Sequence, residues 1–301
     1  MRKLLLFLLI PAAVSFTACN ERSDSEQPIV VATTTIIADV AAQLAGDKLD
    51  VRTIMPVGGD PHIYQPVPGD ARLISRADLV LLNGLQLDVW LEQLADNARG
   101  DRPYIRVTEG IEPLNDPENH EDPDPHVWFD VSLMAAMVDN IIEAYIELDP
   151  GEEDYYRERA ETYKAELEEL HLWVQERIST IPEQRRVLIT SHDAFQYFGN
   201  AYEVEVIGLI GISTEARAQT RDMTRIINIV RERNLPAVFV ESSVNPRMIE
   251  QISSETGARI GGELFSDSVG PPDHEGGTYT GMIRYNVNTF VAAMTDEPVA
   301  E

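Results

Sequence analysis

The segment from Glu152 to Ile178 contains no proline and no glycine. Within it Tyr156, Ala160, Tyr163, Leu167, Leu170, Val174 and Ile178 recur at spacings of three and four, which is one apolar helix stripe, and glutamates, arginines and lysines fill the other faces. A helix of that length reaches roughly 40 Å at 1.5 Å per residue. That is long for packing inside one lobe and long enough to span two. A coiled-coil dimer arm is the competing reading, but the stripe is narrow in heptads and rich in tyrosine.

On both sides of this segment strands alternate with amphipathic helices. Upstream, Ile29 to Thr34, Val51 to Met55, Leu79 to Leu82 and Tyr104 to Val107 read as strands, and Ile37 to Leu44, Asp70 to Ala77, Leu87 to Ala98 and Val131 to Leu148 as helices. Downstream, strands are expected at Val187 to Thr190, Val204 to Leu209, Val238 to Val240 and within Arg259 to Leu264. Helices are expected there at Ala194 to Asn200, Thr220 to Arg233, Pro246 to Glu255 and Tyr279 to Met294. Such alternation implies parallel sheets covered on both faces. The expected fold is α/β: two βα lobes, residues 28–149 and 182–296, each with a mainly parallel four-stranded sheet, joined by one long helix in residues 150–181.

The amino terminus carries an address. Arg2 and Lys3 precede a short apolar run, Leu4 to Ile10, and then small neutral residues, which reads as a secretory signal over residues 1–18 and is too short for a spanning helix. Phe16-Thr17-Ala18-Cys19 resembles a bacterial lipobox, with phenylalanine where leucine is usual. Lipidation of Cys19 and a polar tether over residues 19–27 are therefore expected, the alternative being a plain cleaved signal. Cys19 is the single cysteine, so no intrachain disulfide forms. Either way the protein works outside the cytoplasm, in the periplasm or at the cell surface, with its lipid as the membrane contact.

Lys and Arg number 24 against 51 Asp and Glu, a formal net charge of −27. That excludes nucleic acid as a partner and argues against adsorption to anionic lipid, while suiting the attraction of cations. Against this background one frame occurs twice: Asp60-Pro61-His62-Ile63-Tyr64 and Asp124-Pro125-His126-Val127-Trp128. Proline fixes its own φ and biases the preceding aspartate toward extended geometry, so each histidine sits on a stiff bend. The chain has six histidines, and two share this frame.

In parallel α/β folds ligands gather at the carboxyl ends of strands. His62, His192 and Asp267 follow expected strand ends, and His126 precedes a helix across a short turn. Two come from each lobe. Three imidazoles and one carboxylate suit a first-row divalent cation and are poor for calcium or magnesium. The two-lobe arrangement allows the four to converge at the cleft, and no arrangement in the sequence proves that they do.

These residues carry a resemblance that runs from about Ile29 to Phe290. Its further pieces are Asn83-Gly84-Leu85-Gln86-Leu87-Asp88, Thr190-Ser191-His192-Asp193-Ala194-Phe195, Gly211-Ile212-Ser213-Thr214-Glu215, Phe239-Val240-Glu241-Ser242-Ser243 and Phe265-Ser266-Asp267-Ser268. The ordered set resembles the zinc and manganese solute-binding lipoproteins of bacterial ABC importers. The resemblance implies that His62, His126, His192 and Asp267 are the metal ligands and that the long helix is a rigid interlobe backbone limiting lobe motion. It implies a monomer that captures one Zn2+ or Mn2+ and delivers it to the membrane permease of an ABC importer, driven by a cytoplasmic ATPase.

Family cues for the metal conflict. Manganese members often carry glutamate where this chain has His192, and zinc members often carry a histidine-rich loop where this chain has only His120. Three nitrogens and an oxygen favour zinc in raw affinity, and a bidentate Asp267 would help manganese. Glu241 reads equally as an acceptor orienting a ligand histidine or as a strand-end carboxylate paired with an arginine. His120 and His274 are auxiliary contacts or surface-loop residues, and His171 a solvated or partly packed residue of the long helix. Ion affinity is expected to fall as pH drops below about 6.5, the ordinary imidazole range. A secreted zinc-dependent hydrolase is the alternative function, but the chain has no His-Glu-x-x-His and no nucleophile elbow. A surface adhesin is a third reading, and nothing here resembles an attachment module.

Overall fold

The computed structural model describes residues 27–98, 100–115, 122–216 and 219–295. The expected signal peptide, Cys19, all of the tether but Gln27, and His120 lie outside the described residues. Among these residues no helix is long and apolar enough to cross a membrane.

The first lobe contains β1 (Ile29–Ala32), α1 (Thr35–Ala45), β2 (Asp50–Thr53), α2 (Pro68–Ile74), β3 (Leu79–Leu82), α3 (Val89–Asn97) and β4 (Tyr104–Arg106). Its four strands form one parallel sheet in the order β2-β1-β3-β4. β1 ends two residues before the sequence pattern suggests, because the Thr34 hydroxyl accepts the Ile37 N–H at 3.3 Å and starts α1 there. A single turn of 3₁₀ helix at Val127–Phe129 then leads into α4 (Val131–Leu148), capped by the Asp130 carboxylate on the Ser132 N–H at 2.9 Å.

α5 (Glu153–Ser179) is the long helix, and all seven residues of its expected stripe are buried. The stripe packs against α1 and α4 of the first lobe and against the last helix, α9 (Tyr279–Thr295), of the second. It is consumed within the chain, so no coiled-coil seam remains on it. Leu170 sits in this stripe with none of its surface exposed. Leu170→Ala is expected to destabilise the fold by about 2–5 kcal/mol, the usual cost of such a cavity. Chemical denaturation measures this, and an unchanged midpoint would mean that the stripe is not the core seam.

The second lobe contains β5 (Val187–His192), α6 (Gln196–Tyr202), β6 (Glu205–Ile210), α7 (Thr220–Arg233), β7 (Ala237–Glu241), α8 (Arg247–Thr256) and β8 (Arg259–Leu264), followed by α9. Here the structure departs from a continuous four-stranded sheet. The strands form two parallel ladders, β5-β6 and β7-β8, with β5 lying beside β7. The register of β7 on β8 shifts between Val238 and Val240. At the carboxyl end of the β5/β7 seam the His192 N–H goes to the side chain of Glu241, at 2.9 Å, instead of to a strand carbonyl.

One apolar core runs through both lobes. It joins Val30, Leu79 and Met134 of the first lobe to the α5 stripe and on to Leu188, Phe239 and Phe290 of the second. Smaller cores lie under the outer face of each lobe, one with α2 and α3 and one with α7 and α8. Each sheet layer is therefore covered on both sides, as parallel strands require.

Candidate metal centre

The two Asp-Pro-His frames fold alike. Asp60 accepts the backbone N–H of His62 at 2.9 Å, and Asp124 accepts that of His126 at 2.9 Å. Each aspartate thus closes the bend that presents its histidine. Beyond this the frames diverge. The Asp124 oxygen that closes the turn also stands 2.7 Å from the His126 ring Nδ1, whereas Asp60 takes the Thr214 hydroxyl from the other lobe at 2.6 Å.

The His126 turn is braced from several directions. Asn83 donates to the Pro125 carbonyl at 3.0 Å, and the Tyr197 hydroxyl donates to the Asp124 carbonyl at 3.0 Å. The Trp128 indole donates to the Ser266 carbonyl at 3.0 Å, tying this turn to the loop that carries Asp267.

His192 is the last residue of β5, two residues beyond the expected strand end, because its pairing with Ile210 extends the ladder. Glu241 is the last residue of the adjacent β7. One of its oxygens takes the His192 N–H, and the other stands 2.6 Å from the ring Nδ1. Asp267 follows β8. Its Oδ2 accepts the hydroxyls of Ser243 at 2.9 Å and Ser266 at 3.0 Å. The next residue, Ser268, accepts the Gly58 N–H at 2.8 Å and the Thr35 hydroxyl at 3.1 Å, which anchors the loop to the first lobe.

The four predicted residues converge. His62 Nε2 lies 3.3 Å from His126 Nε2 and 3.9 Å from Asp267 Oδ1. His126 Nε2 is 3.5 Å from Asp267 Oδ1, and His192 Nε2 is 3.6 Å from Asp267 Oδ2. One donor atom from each residue falls within 4.8 Å of all the others. Donors about 2.0–2.2 Å from a tetrahedral cation stand roughly 3.3–3.6 Å apart, so the set is close to the size such an ion needs. His126, His192 and Asp267 are buried, and only His62 retains some exposure. It faces a cavity of about 250 Å³ lined from both lobes by residues including Gln86, Val89, Asp122, Ile212 and Glu215.

Asp267 Oδ1 and His192 Nε2 are among the buried atoms of the cluster that have no hydrogen-bond partner. Buried polar atoms are ordinarily satisfied, and an orphaned donor set of this kind is what a cation satisfies. The electrostatics agree. Burial pushes His62 down to about 3, so its imidazole is neutral. Burial also acts to lower His126, but the Asp124 and Asp267 carboxylates outweigh it and hold the ring at about 9. His192, opposed by burial, is raised well above the usual imidazole range by Glu241 and Asp267. Asp267 is held well below the carboxylate range, against its burial, by the surrounding histidines. The pocket attracts positive charge at its centre.

Other predicted positions serve elsewhere. His274 accepts the Gly276 N–H at 2.9 Å, and its ring packs between Phe265 and Tyr285. His171 bonds the Tyr202 hydroxyl at 3.0 Å and packs on that ring. Sequence reasoning named Asp124, Ser243 and Ser266 within its motifs but gave none of them a role at the site. Asp124 was visible as the aspartate two residues before a candidate ligand, whereas the serines gave no signal of their own.

A two-lobed α/β frame on a shared helix, with three imidazoles and one carboxylate meeting between the lobes, defines a divalent-metal-binding protein of the receptor type. Residues 30–293 match the family described as ZnuA, zinc-uptake complex component A, periplasmic. The chain belongs to this family of metal-binding proteins of ABC importers. It is 38% identical over 275 residues to the zinc-binding protein TroA of Treponema pallidum, covering 89% of each chain. It is 36% identical to the manganese-binding lipoprotein MntA of Bacillus subtilis, over 98% of this chain and all of that one. The solved structure of the periplasmic zinc-binding protein TroA superposes with a TM-score of 0.85, over 89% of this chain and 99% of that one.

Proposed function

We propose that this chain is an extracytoplasmic receptor that holds one Zn2+ or Mn2+ ion through His62, His126, His192 and Asp267 and hands it to the permease of an ABC importer. The supporting observation is the convergence of four donors from both lobes, two of them buried atoms without partners. Zinc is the tighter ligand, because three imidazoles and one carboxylate rank it far above manganese in intrinsic affinity. Relatives named for zinc and for manganese are similarly close, so ancestry alone does not choose between the ions.

Glu241 and Asp124 orient His192 and His126 by holding the ring nitrogen that faces away from the ion. Glu241→Gln keeps the shape of the side chain and removes its charge. It is expected to weaken ion binding about 10–100-fold, with the far-ultraviolet circular dichroism unchanged. Affinity equal to the parent's would remove Glu241 from the site.

Relatives of this chain are named lipoproteins, which supports attachment through a lipid on Cys19. They are transport proteins, and the zinc-hydrolase alternative finds no support among them. The deciding experiment is a competition titration of chelator-stripped protein lacking its first 19 residues, read by native mass spectrometry. One tightly held ion per chain, with zinc displacing manganese, is expected. Absence of stoichiometric binding of either ion would overturn the assignment.

A further inference from the structure

The three imidazoles are not held alike. His126 and His192 each have a carboxylate on ring Nδ1, Asp124 at 2.7 Å and Glu241 at 2.6 Å. Such a partner fixes the direction in which a ligand ring points. Among the described residues His62 has no carboxylate there, and its polar contacts run through Nε2, to His126 at 3.3 Å and Asp267 at 3.9 Å. It is also the one of the four that keeps some exposure, beside the cavity between the lobes. The aim of this ring therefore depends on the bend that carries it.

Asp60 fixes that bend, and the other lobe fixes Asp60. One oxygen, Oδ1, accepts the His62 N–H at 2.9 Å, and the other, Oδ2, accepts the Thr214 hydroxyl at 2.6 Å. The loop is tied separately four residues upstream, where the Gly58 N–H meets Ser268 at 2.8 Å. Thr214 lies in a turn after β6 that is closed on itself. The Ser213 hydroxyl there accepts the Glu215 N–H at 3.3 Å, and the Ser213 carbonyl accepts the Ala216 N–H at 3.3 Å. Ile212, Ser213 and Glu215 of this turn line the same cavity as His62. A hydroxyl donating to a carboxylate is a charge-assisted bond, roughly twice as strong as one between neutral groups.

We infer that Thr214 is a positioning residue for ion binding: by holding Asp60 from the second lobe it keeps His62 aimed at the other donors and so sets how fast a bound ion leaves. This inference rests on the metal-receptor reading and names a residue that governs release. Thr214 touches no ion; it acts through Asp60 and the His62 bend. Parting the Thr214 turn from Asp60 loosens one ligand, while the other two rings keep their carboxylates.

The test compares the parent with Thr214→Val, which keeps the shape and drops the hydroxyl, and Thr214→Ser, which keeps the hydroxyl, with Zn2+ alone as the probe. Release is timed by a chelator chase and entry by stopped flow, and the histidine ring signals of the zinc-loaded proteins are recorded by nuclear magnetic resonance. In Thr214→Val release is expected to be about tenfold faster, the effect of losing a hydrogen bond to a charged group, with entry within about twofold of the parent's. Thr214→Ser is expected to release zinc at the parental rate. The His62 ring signals are expected to shift or broaden in Thr214→Val while those of His126 and His192 hold. Parental release from Thr214→Val would overturn the inference. Entry and release that quicken by the same factor would mean that the hydroxyl is a barrier at the mouth and does not aim His62, and would overturn it equally. So would equal disturbance of all three rings, the sign of a brace on the whole cleft. Should Thr214→Val fail to fold, Thr214→Ala at this half-buried position carries the same readouts with the same outcomes decisive. A parent that holds no zinc stoichiometrically would instead refute the receptor reading.

Discussion

Replacing His126 with alanine is expected to weaken ion binding by about a hundredfold or more and to destabilise the empty protein as well. Structural zinc sites release about 10–16 kcal/mol. Shared among four donors that is about 3 kcal/mol for one, or roughly a hundredfold in Kd. The second effect comes from Asp124. It is buried, 1% exposed, and its Oδ1 faces the His126 ring at 2.7 Å. Removing one member of a buried charged pair costs about 3–5 kcal/mol, because the other is left without its partner. Calorimetric titration reads the first effect and urea denaturation of stripped protein the second. Parental affinity would take His126 out of the ligand set, and parental stability would show that Asp124 has no need of the ring.

The pH dependence should be steep and should begin higher than free imidazole suggests. In the ion-free site Asp124 and Asp267 hold His126 at about 9, so it carries a proton at neutral pH, and Glu241 and Asp267 shift His192 toward carrying one too. An incoming ion must expel those protons. The empty protein thus binds more protons than the loaded one, and acid favours the empty form. Each proton expelled weakens the apparent affinity about tenfold per pH unit. From pH 8 to pH 6 the loss through His126 alone is on the order of a hundredfold, and His192 adds to it in the same direction. His62, pushed down to about 3, contributes nothing in this range.

Stability of the empty protein should move the other way. A histidine raised in the folded state stabilises it fully below the unfolded value, near 6.5, and the benefit is lost as pH climbs through about 9. Chelator-competition titrations and denaturation curves between pH 6 and pH 9 measure the two opposed trends. A flat binding constant across that span would contradict the carboxylate-backed imidazoles described here.

The sequence pattern of α5 was unambiguous, since its seven stripe residues are the seven that the core buries. The bounds of α4 and α7 likewise follow from local signals, a cap and an apolar period. The strand ends were less legible because tertiary contacts decide them. β5 reaches His192 only through its partner Ile210, and β1 stops early for a hydroxyl cap. The break between β5 and β7 is set by how two strands distant in sequence lie side by side, which no local pattern encodes.

At the site the same division holds. The stiff Asp-Pro-His bends could be read from the chain, and the matching turns bear out that reading. That four residues from two lobes would meet could be expected only from the whole architecture and the resemblance. The Ser243 hydroxyl on Asp267 spans 24 positions between separate loops, so serine's identity there carries no visible message. Ordinary imidazole behaviour set the expected acid threshold at about 6.5; the contacts of Asp124, Glu241 and Asp267 with the histidines, which only the fold displays, are the reason a higher threshold is predicted.

The apolar core that passes from β1 through α5 to α9 without interruption has a consequence for the membrane side of the system. Swinging the lobes apart would expose this core to water, a cost that scales with every square ångström uncovered. If the chain works as the proposed receptor, its filled and empty forms are therefore expected to share nearly the same outline, which small-angle scattering of the two would check. A partner that received the ion from such a receptor would then be expected to tell filled from empty by a few side chains and loops at the cleft rim and not by silhouette.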